Sequence, residues 1–382
     1  MTNRERILAI LRYQSYDRMP LVHFGFWRET LIKWANEGHL TMTLAKEWHD
    51  GNPADDEITR ILGFDSNWAR TFGTRVFLNP GFEHRVIETL PDGSRHEMNG
   101  DGVVLLVKDD AGSIPAEIKH TLVDRASWET HYKHRYVYSD DRINHVNVNV
   151  DGRFVRADQG GIDYLKTGKR DCFYGIYCGS MIGHIRNVLG VVGLSYLIAD
   201  DPKLVDEIIK TVGDLAYRCV KKTLETGAKF DFAHFWEDIC FKNGPLVSPR
   251  FFKNKIAPQY RRITALLKEY GIDIVTVDCD GMIDALVGHW VNNGVNTMFP
   301  IEVGTWNASI APWRAQYGKD LRGVGGMNKV VFSRDRAAID AEIERLKSLM
   351  DLGGFIPCPD HRIAPDAKWD LVRYYCDRMQ SL

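Results

Sequence analysis

The chain has 382 residues, of which 44% are hydrophobic and 26% are charged, and its formal net charge is −2. This length suits one (β/α)8 barrel with additions or two α/β domains, and the apolar fraction is enough for a large core. The near-neutral charge argues against a nucleic-acid partner, which usually needs a basic face. No apolar run is long enough to cross a bilayer, so we expect no membrane association.

The amino-terminal third predicts a helical extension followed by an inserted ribbon. Residues 2–13 have an amphipathic pattern, and the helix ends before Pro20 because proline disfavours helix in the residue that precedes it. A first strand follows at 20–26. In residues 82–122 apolar and polar residues alternate around PDG and NGDG turns, which is typical of antiparallel hairpins. We therefore expect an inserted antiparallel β-ribbon at about 82–122.

From residue 171 onward the chain repeats a short apolar strand, a loop and a helix. Strands that alternate with helices in this way pair in parallel. With the strand at 20–26 and one strand that the pattern places poorly, the count reaches eight. We predict a single (β/α)8 TIM barrel domain over residues 1–382, with the helical extension and the ribbon. The predicted strands are CFYGIY, KFDFAHFW, IDIVTVD, VNTMFPIE, DLRGVGG and GGFIPC.

Three chemically active side chains each follow a different predicted strand, namely Glu237, Cys279 and His361. In a (β/α)8 barrel the active site lies at the carboxyl ends of the strands. A carboxylate, a thiol and an imidazole suit Zn²⁺, and three protein ligands leave a fourth position for substrate. We therefore predict a metal site at these residues. The alternative is that the acid holds a loop backbone and the buried cysteine serves as a small hydrophobe.

Five stretches of the sequence carry a resemblance to a known family. The chain resembles the uroporphyrinogen decarboxylase superfamily over nearly its whole length, and that superfamily has a (β/α)8 barrel. The stretches are TNRERILAILRYQSYDRMPLV, ILGFD at 61–65, WEDICFKNGPLVSPRFFKNKIAPQYRRI, VDCDGMID and GGFIPCPDHRIAPDAKWDLVRYY.

The resemblance is nearer to one branch of the superfamily than to the other. True uroporphyrinogen decarboxylases carry an arginine-rich stretch after the first strand, whereas residues 25–29 here read Gly-Phe-Trp-Arg-Glu. Corrinoid-linked methyltransferases carry zinc through His-x-Cys on one strand and a second, distal cysteine. This chain keeps Cys279, has valine in place of that histidine, and has His361 in place of the distal cysteine. The resemblance then implies that Glu237, or else Asp280, supplies the missing ligand.

The motifs WED, VDxDG and PDHR together are similar to those of demethylating methyltransferases. The resemblance implies that a methyl group moves from a small donor, such as a methoxylated aromatic compound, to the cobalt of a separate corrinoid protein. A metal would polarise the ether oxygen, or in a metal-free version His361 or Glu237 would act as general acid. Asp280 or Asp360 would orient His361.

Aromatic and polar side chains at the strand ends predict a pocket for a flat substrate. Aromatic rings there would stack on the substrate and exclude water, although such rings also serve as ordinary core. The candidate catalytic residues are Glu237, His361 and Asp280, and the candidate substrate-binding residues are His23, Phe26, Trp27, Tyr177, Trp236 and Asn328.

Two other functions remain open at this point. Decarboxylation of a uroporphyrinogen-like or other small acid needs cations at the strand ends, where Arg28, Lys329 and Arg362 qualify. A non-catalytic corrinoid carrier would need an Asp-x-His-x-x-Gly signature, which is absent from the sequence.

The seven scattered cysteines predict free thiols in a reducing cytoplasm. Homodimers are common in the superfamily, but no sequence feature marks an interface.

Overall fold

The structure is a computed structural model and describes residues 1–108 and 115–382. The α-helices are α1 (Asn3–Leu11), α2 (Arg28–Asn36), α3 (Met42–Glu47), α4 (Pro53–Leu62), α5 (Arg125–Ser127), α6 (Asp141–Asn144), α7 (Gly161–Thr167), α8 (Gly183–Asp200), α9 (Pro202–Glu225), α10 (Pro249–Phe251), α11 (Ala257–Glu269), α12 (Asp284–Val291), α13 (Val303–Trp306), α14 (Ile310–Tyr317), α15 (Arg336–Met350) and α16 (Trp369–Gln380). The strands are β1 (Val22–His23), β2 (Ser66–Asn67), β3 (Thr71–Phe72), β4 (Arg85–Thr89), β5 (Arg95–Met98), β6 (Val103–Val107), β7 (Ala116–His120), β8 (Asn147–Val150), β9 (Arg153–Arg156), β10 (Gly175–Gly179), β11 (Phe232–Trp236), β12 (Cys240–Phe241), β13 (Gly244–Pro245), β14 (Val275–Asp278), β15 (Thr297–Phe299), β16 (Arg322–Met327) and β17 (Phe355–Pro359).

A parallel sheet of seven strands forms the centre of the molecule. Its order is β17-β16-β15-β14-β11-β10-β3, and every neighbouring pair is parallel. Its later strands are almost entirely buried, as expected for a parallel sheet covered on both faces. The repeat of strand and helix after residue 171 therefore predicts the sheet correctly.

A separate parallel pair, β1 and β2, lies beside this sheet. Residues 68–70 interrupt the chain between β2 and β3, and these two strands do not pair with each other among the described residues. On the other side, Phe26 bridges Ile363 in parallel, just beyond β17. Hydrogen-bonded pairing of strands thus does not run round a closed ring of eight in the described part of the chain.

An antiparallel sheet of four strands lies within the range where the sequence predicts a ribbon. Its order is β4-β5-β6-β7, over residues 85–108 and 115–120, and residues 109–114 of the predicted ribbon lie outside the described part of the chain. One edge lies against α8, where His120 Nδ1 is 3.2 Å from the carbonyl oxygen of Val188. The sequence analysis did not predict the hairpin β8–β9.

Two helix starts follow from local capping chemistry. Asp201 accepts a hydrogen bond from the backbone N–H of Leu204 at the start of α9, and Ser248 accepts one from Phe251 at the start of α10. In both helices proline occupies the first turn, where its missing N–H costs nothing. Among the described helices, none has the length and apolar character to cross a membrane.

Candidate active site at the carboxyl ends of the strands

An imidazole and a carboxylate meet where two strands of the central sheet end. His361 lies two residues after β17 and Asp280 lies two residues after β14. His361 Nε2 is 3.3 Å from Asp280 Oδ2, and the two side chains are 20% and 33% exposed. His361 Nδ1 and Asp280 Oδ1 are covered and have no hydrogen-bond partner in the described structure. The two side chains therefore lie within ion-pair distance of each other, and both remain partly exposed.

Aromatic rings fix the orientation of this imidazole. Trp27 stacks on His361 with ring centroids 5.5 Å apart and an interplanar angle of 20°. Phe24 meets the same ring edge-on at 5.8 Å. Because both aromatic residues come from the segment after β1, the start of the chain shapes the environment of a residue near its end.

A second buried pair lies next to the first. His234 on β11 places Nδ1 2.9 Å from Thr276 Oγ1 and Nε2 3.9 Å from Asp278 Oδ2. Burial, followed by the charge of Asp280, raises the pKa of Asp278 well above its ordinary value. Burial lowers the pKa of His234 to about 4, so this imidazole is neutral at physiological pH. Sequence reasoning missed His234, although a histidine within the apolar run KFDFAHFW is a signal that could have found it.

An arginine next to His361 is tied to an acid from the other half of the chain. Arg362 Nη2 is 2.6 Å from Asp50 Oδ2, and its guanidinium group lies over the rings of Phe24 and Trp48. Asp50 also accepts from Asn67 Nδ2 at 2.9 Å. The charge of Arg362 is therefore balanced within the fold.

Glu237 holds a backbone loop. Its carboxylate accepts from the N–H groups of Met181, Ile182 and Gly183 at 2.5, 3.1 and 2.6 Å. The hydroxyl groups of Ser180 and Tyr260 complete five donors. Burial raises the pKa of Glu237, and these donors oppose that shift. Both carboxylate oxygens are thus committed to residues 180–183 and Tyr260.

Cys279 lies away from the Asp280–His361 pair. Successive side chains of an extended segment point to opposite sides, and here Asp278 and Asp280 face the site. Cys279 is 3% exposed, and its Sγ contacts the carbonyl oxygen of Asp280 at 3.5 Å. Over residues 1–108 and 115–382, no group of three or more His, Cys, Asp or Glu side chains is arranged to hold a metal ion. Within these residues, Glu237, Cys279 and His361 therefore do not form the expected ligand set.

Two predicted substrate contacts lie in the packed interior. His23 Nε2 is 2.8 Å from Thr59 Oγ1, while its Nδ1 accepts from the N–H of Gly25 at 2.9 Å. Burial lowers the pKa of His23 to about 3. Phe26 is 1% exposed and packs edge-on against Trp34 and Trp48. These two side chains are therefore part of the buried core and are not exposed to a substrate.

The other predicted residues are distributed around the strand ends. Tyr177 is half-buried and lines a cavity of about 370 Å³. Trp236 is also half-buried. Asn328 Oδ1 accepts from the N–H of Val330 and caps a short turn. Asp360 accepts from the backbone N–H groups of residues 303, 304 and 329, so the partner of His361 is Asp280.

The chain matches no family model and no curated protein sequence. Among solved structures it is similar to a methyltransferase from Methanosarcina mazei, with a TM-score of 0.62 and 13% identity, over 100% of this chain and 99% of that one. It is also similar to a B12-independent methionine synthase from Shewanella sp. W3-18-1 in complex with selenomethionine, with a TM-score of 0.47 and 9% identity, over 96% of this chain and 98% of the other. The first likeness shows a shared fold of the TIM-barrel type along the whole chain.

Proposed function

We propose that this protein is a methyltransferase that moves a methyl group from a small donor, such as a methoxylated aromatic compound, to the cobalt of a corrinoid protein. The observation that supports it best is the partly exposed Asp280–His361 pair, 3.3 Å apart beneath the ring of Trp27. The fold shared with a protein described as a methyltransferase is consistent with this proposal. The proposal treats the chain as one (β/α)8 domain in which β2 and β3 act as a single interrupted strand.

The pair supplies the chemistry that an ether donor needs. Removal of a methyl group leaves an alkoxide or phenoxide, which is a poor leaving group until it is protonated. The carbon–oxygen bond breaks, its electron pair stays on oxygen, and His361, acting as general acid, gives a proton to that oxygen. The methyl group passes to the nucleophilic cobalt of the acceptor. Trp27 offers a flat surface against which an aromatic donor can lie.

The charges around the pair favour a neutral donor over a small acid. Several acids lie close together around the pair. Burial, followed by the charge of Asp280, raises the pKa of both Glu302 and Asp278. The cations near the pair are already close to acids, since Arg362 pairs with Asp50 and Lys329 lies near Asp360, Glu302 and Asp280. A substrate with several carboxylates would have to compete with these acids for the two cations, which weighs against decarboxylation.

The test is methyl transfer from a panel of methoxylated aromatics to free cob(I)alamin, followed by the cobalamin absorption spectrum. We expect His361→Ala to slow transfer by about 100-fold or more, the usual contribution of a positioned acid. His134→Ala is the matched control, because that histidine is exposed and distant in sequence from the strand ends. An unchanged rate in His361→Ala, or release of CO₂ from a small acid without methyl transfer, would contradict the proposal.

A further inference from the structure

A cavity of about 710 Å³ lies beside the break between β2 and β3. The start of α1, α4, the β8–β9 turn and the loop that leads into β10 form its walls. Neither His361 nor Asp280 lines it. We call it the flank pocket and define it by Arg4, Asn67, Arg70, Asn149, Lys169 and Arg170.

Arg170 in the wall of the flank pocket is buried without a full set of partners. Its side chain is 1% exposed, and its Nη2 donates to Asp231 Oδ2 at 3.0 Å. Its Nε and Nη1 have no hydrogen-bond partner within the described residues. A covered guanidinium group with unmet donors is costly, so an acceptor at this position would stabilise the fold.

The local charge balance also favours an added anion. Asp231 Oδ1 also accepts a hydrogen bond from Arg4 Nε at 2.8 Å. One carboxylate therefore pairs with two guanidinium groups, those of Arg4 and Arg170. The other buried charges of the wall are already matched, since Arg70 pairs with Asp56 and Asp65 with Arg18.

The rim of the flank pocket carries mixed charge. Lys169 is exposed there, and so are Asp151 and Asp171. Between rim and wall lie the neutral polar side chains of Asn67, Asn149 and Tyr164. Such a lining suits a polar molecule with one anionic group at the arginine end.

We propose that the flank pocket binds a small polar molecule through a carboxylate or phosphate group that accepts hydrogen bonds from Arg170, with Arg4 beside it. Guanidinium groups suit both anions because their donors match the oxygen geometry. The volume leaves room for a body larger than the anion itself. This site is independent of the proposed methyl transfer.

The test uses the full chain and two probes, inorganic phosphate and succinate, with sodium chloride at matched ionic strength as the reference. We expect at least one probe to bind saturably in calorimetry and to raise Tm. Arg170→Gln should weaken that binding by about 10-fold or more, as loss of a charge-assisted contact does. The stronger probe identifies which anion the pocket prefers.

Two further variants make the outcome decisive. Lys169→Gln changes an exposed rim residue, so it should fold, and it should weaken binding by about 3-fold if Arg170→Gln is too unstable to measure. Arg250→Gln removes an exposed arginine outside the pocket and should leave binding unchanged. The inference is overturned if neither probe binds saturably, or if Arg250→Gln weakens binding as much as the pocket variants do.

Discussion

At the scale of single residues, Asp55 shows how burial sets the proton affinity of an acid. It is fully buried and accepts from Trp48 Nε1, Gly51 N and Asn67 Nδ2 at 2.7, 2.9 and 2.9 Å. Burial and the nearby charge of Asp50 raise its pKa to about 6. The folded state therefore holds this proton more tightly than the unfolded chain, where the pKa is about 4.

This shift predicts a pH-dependent stability difference. The contribution of Asp55 is fully present below about pH 4 and is lost as the pH rises through about 6. Asp55→Asn should be less stable than the wild type at pH 4 in urea unfolding, because its NH₂ group faces N–H donors. This difference in the free energy of unfolding should shift in favour of the variant by up to about 3 kcal/mol between pH 4 and pH 7, because asparagine has no proton to lose. The exposed Asp366→Asn is the control and should show a constant difference. A pH-independent difference for Asp55→Asn would contradict the assignment.

Residue-level reasoning from the sequence named some residues that lie at the candidate site and missed others. The sequence left Asp280 and Asp360 as alternative partners of His361, and the structure places Asp280 beside it. Sequence reasoning did not predict that Asp50, in the loop before α4, pairs with Arg362. No periodic pattern marks a contact between residues that are 312 positions apart.

At the scale of elements, Glu237 joins the end of β11 to the loop between β10 and α8. Its replacement by glutamine keeps the shape but turns an NH₂ group toward N–H and O–H donors. We expect Glu237→Gln to lower the free energy of unfolding by about 2–4 kcal/mol and to speed amide exchange at residues 180–183. Glu47→Gln, at an exposed acid, is the control. Unchanged exchange in the loop would show that Glu237 does not hold it.

The elements that the sequence missed are short. The strands β2 and β3 have two residues each, which is too few to show an alternation of apolar and polar residues. The strands β10 and β17 have five residues each and lie within longer apolar runs. The interruption at residues 68–70 depends on how the chain packs, so it has no local signature. The capped helices α9 and α10 were predictable because Asp201 and Ser248 carry their signal within three residues.

At the scale of the whole molecule, one hydrophobic cluster runs from Ile7 near the start to Met379 near the end. The segment just after α1 also contacts distant parts of the chain, since Tyr13 Oη donates to the carbonyl oxygen of Leu321 at 2.7 Å and Arg12 pairs with Asp273. We therefore predict that residues 1–382 unfold as one unit. Far-UV circular dichroism and tryptophan fluorescence should give coincident transitions.

A variant at the far end of the cluster sharpens this prediction. Met379→Ala should shift both transitions together, with a loss of about 2–5 kcal/mol, because it opens a cavity in a shared core. The exposed Met1→Ala should shift neither. Two separate transitions, with one insensitive to Met379→Ala, would indicate two domains.

The placement of the seven cysteines has a practical consequence. All are free thiols, and six are buried, while Cys172 is partly exposed in the wall of the flank pocket. A maleimide dye should therefore attach to the native chain at this single thiol, without any cysteine having to be removed first. The rate of labelling at Cys172 would then report whether a ligand occupies the flank pocket.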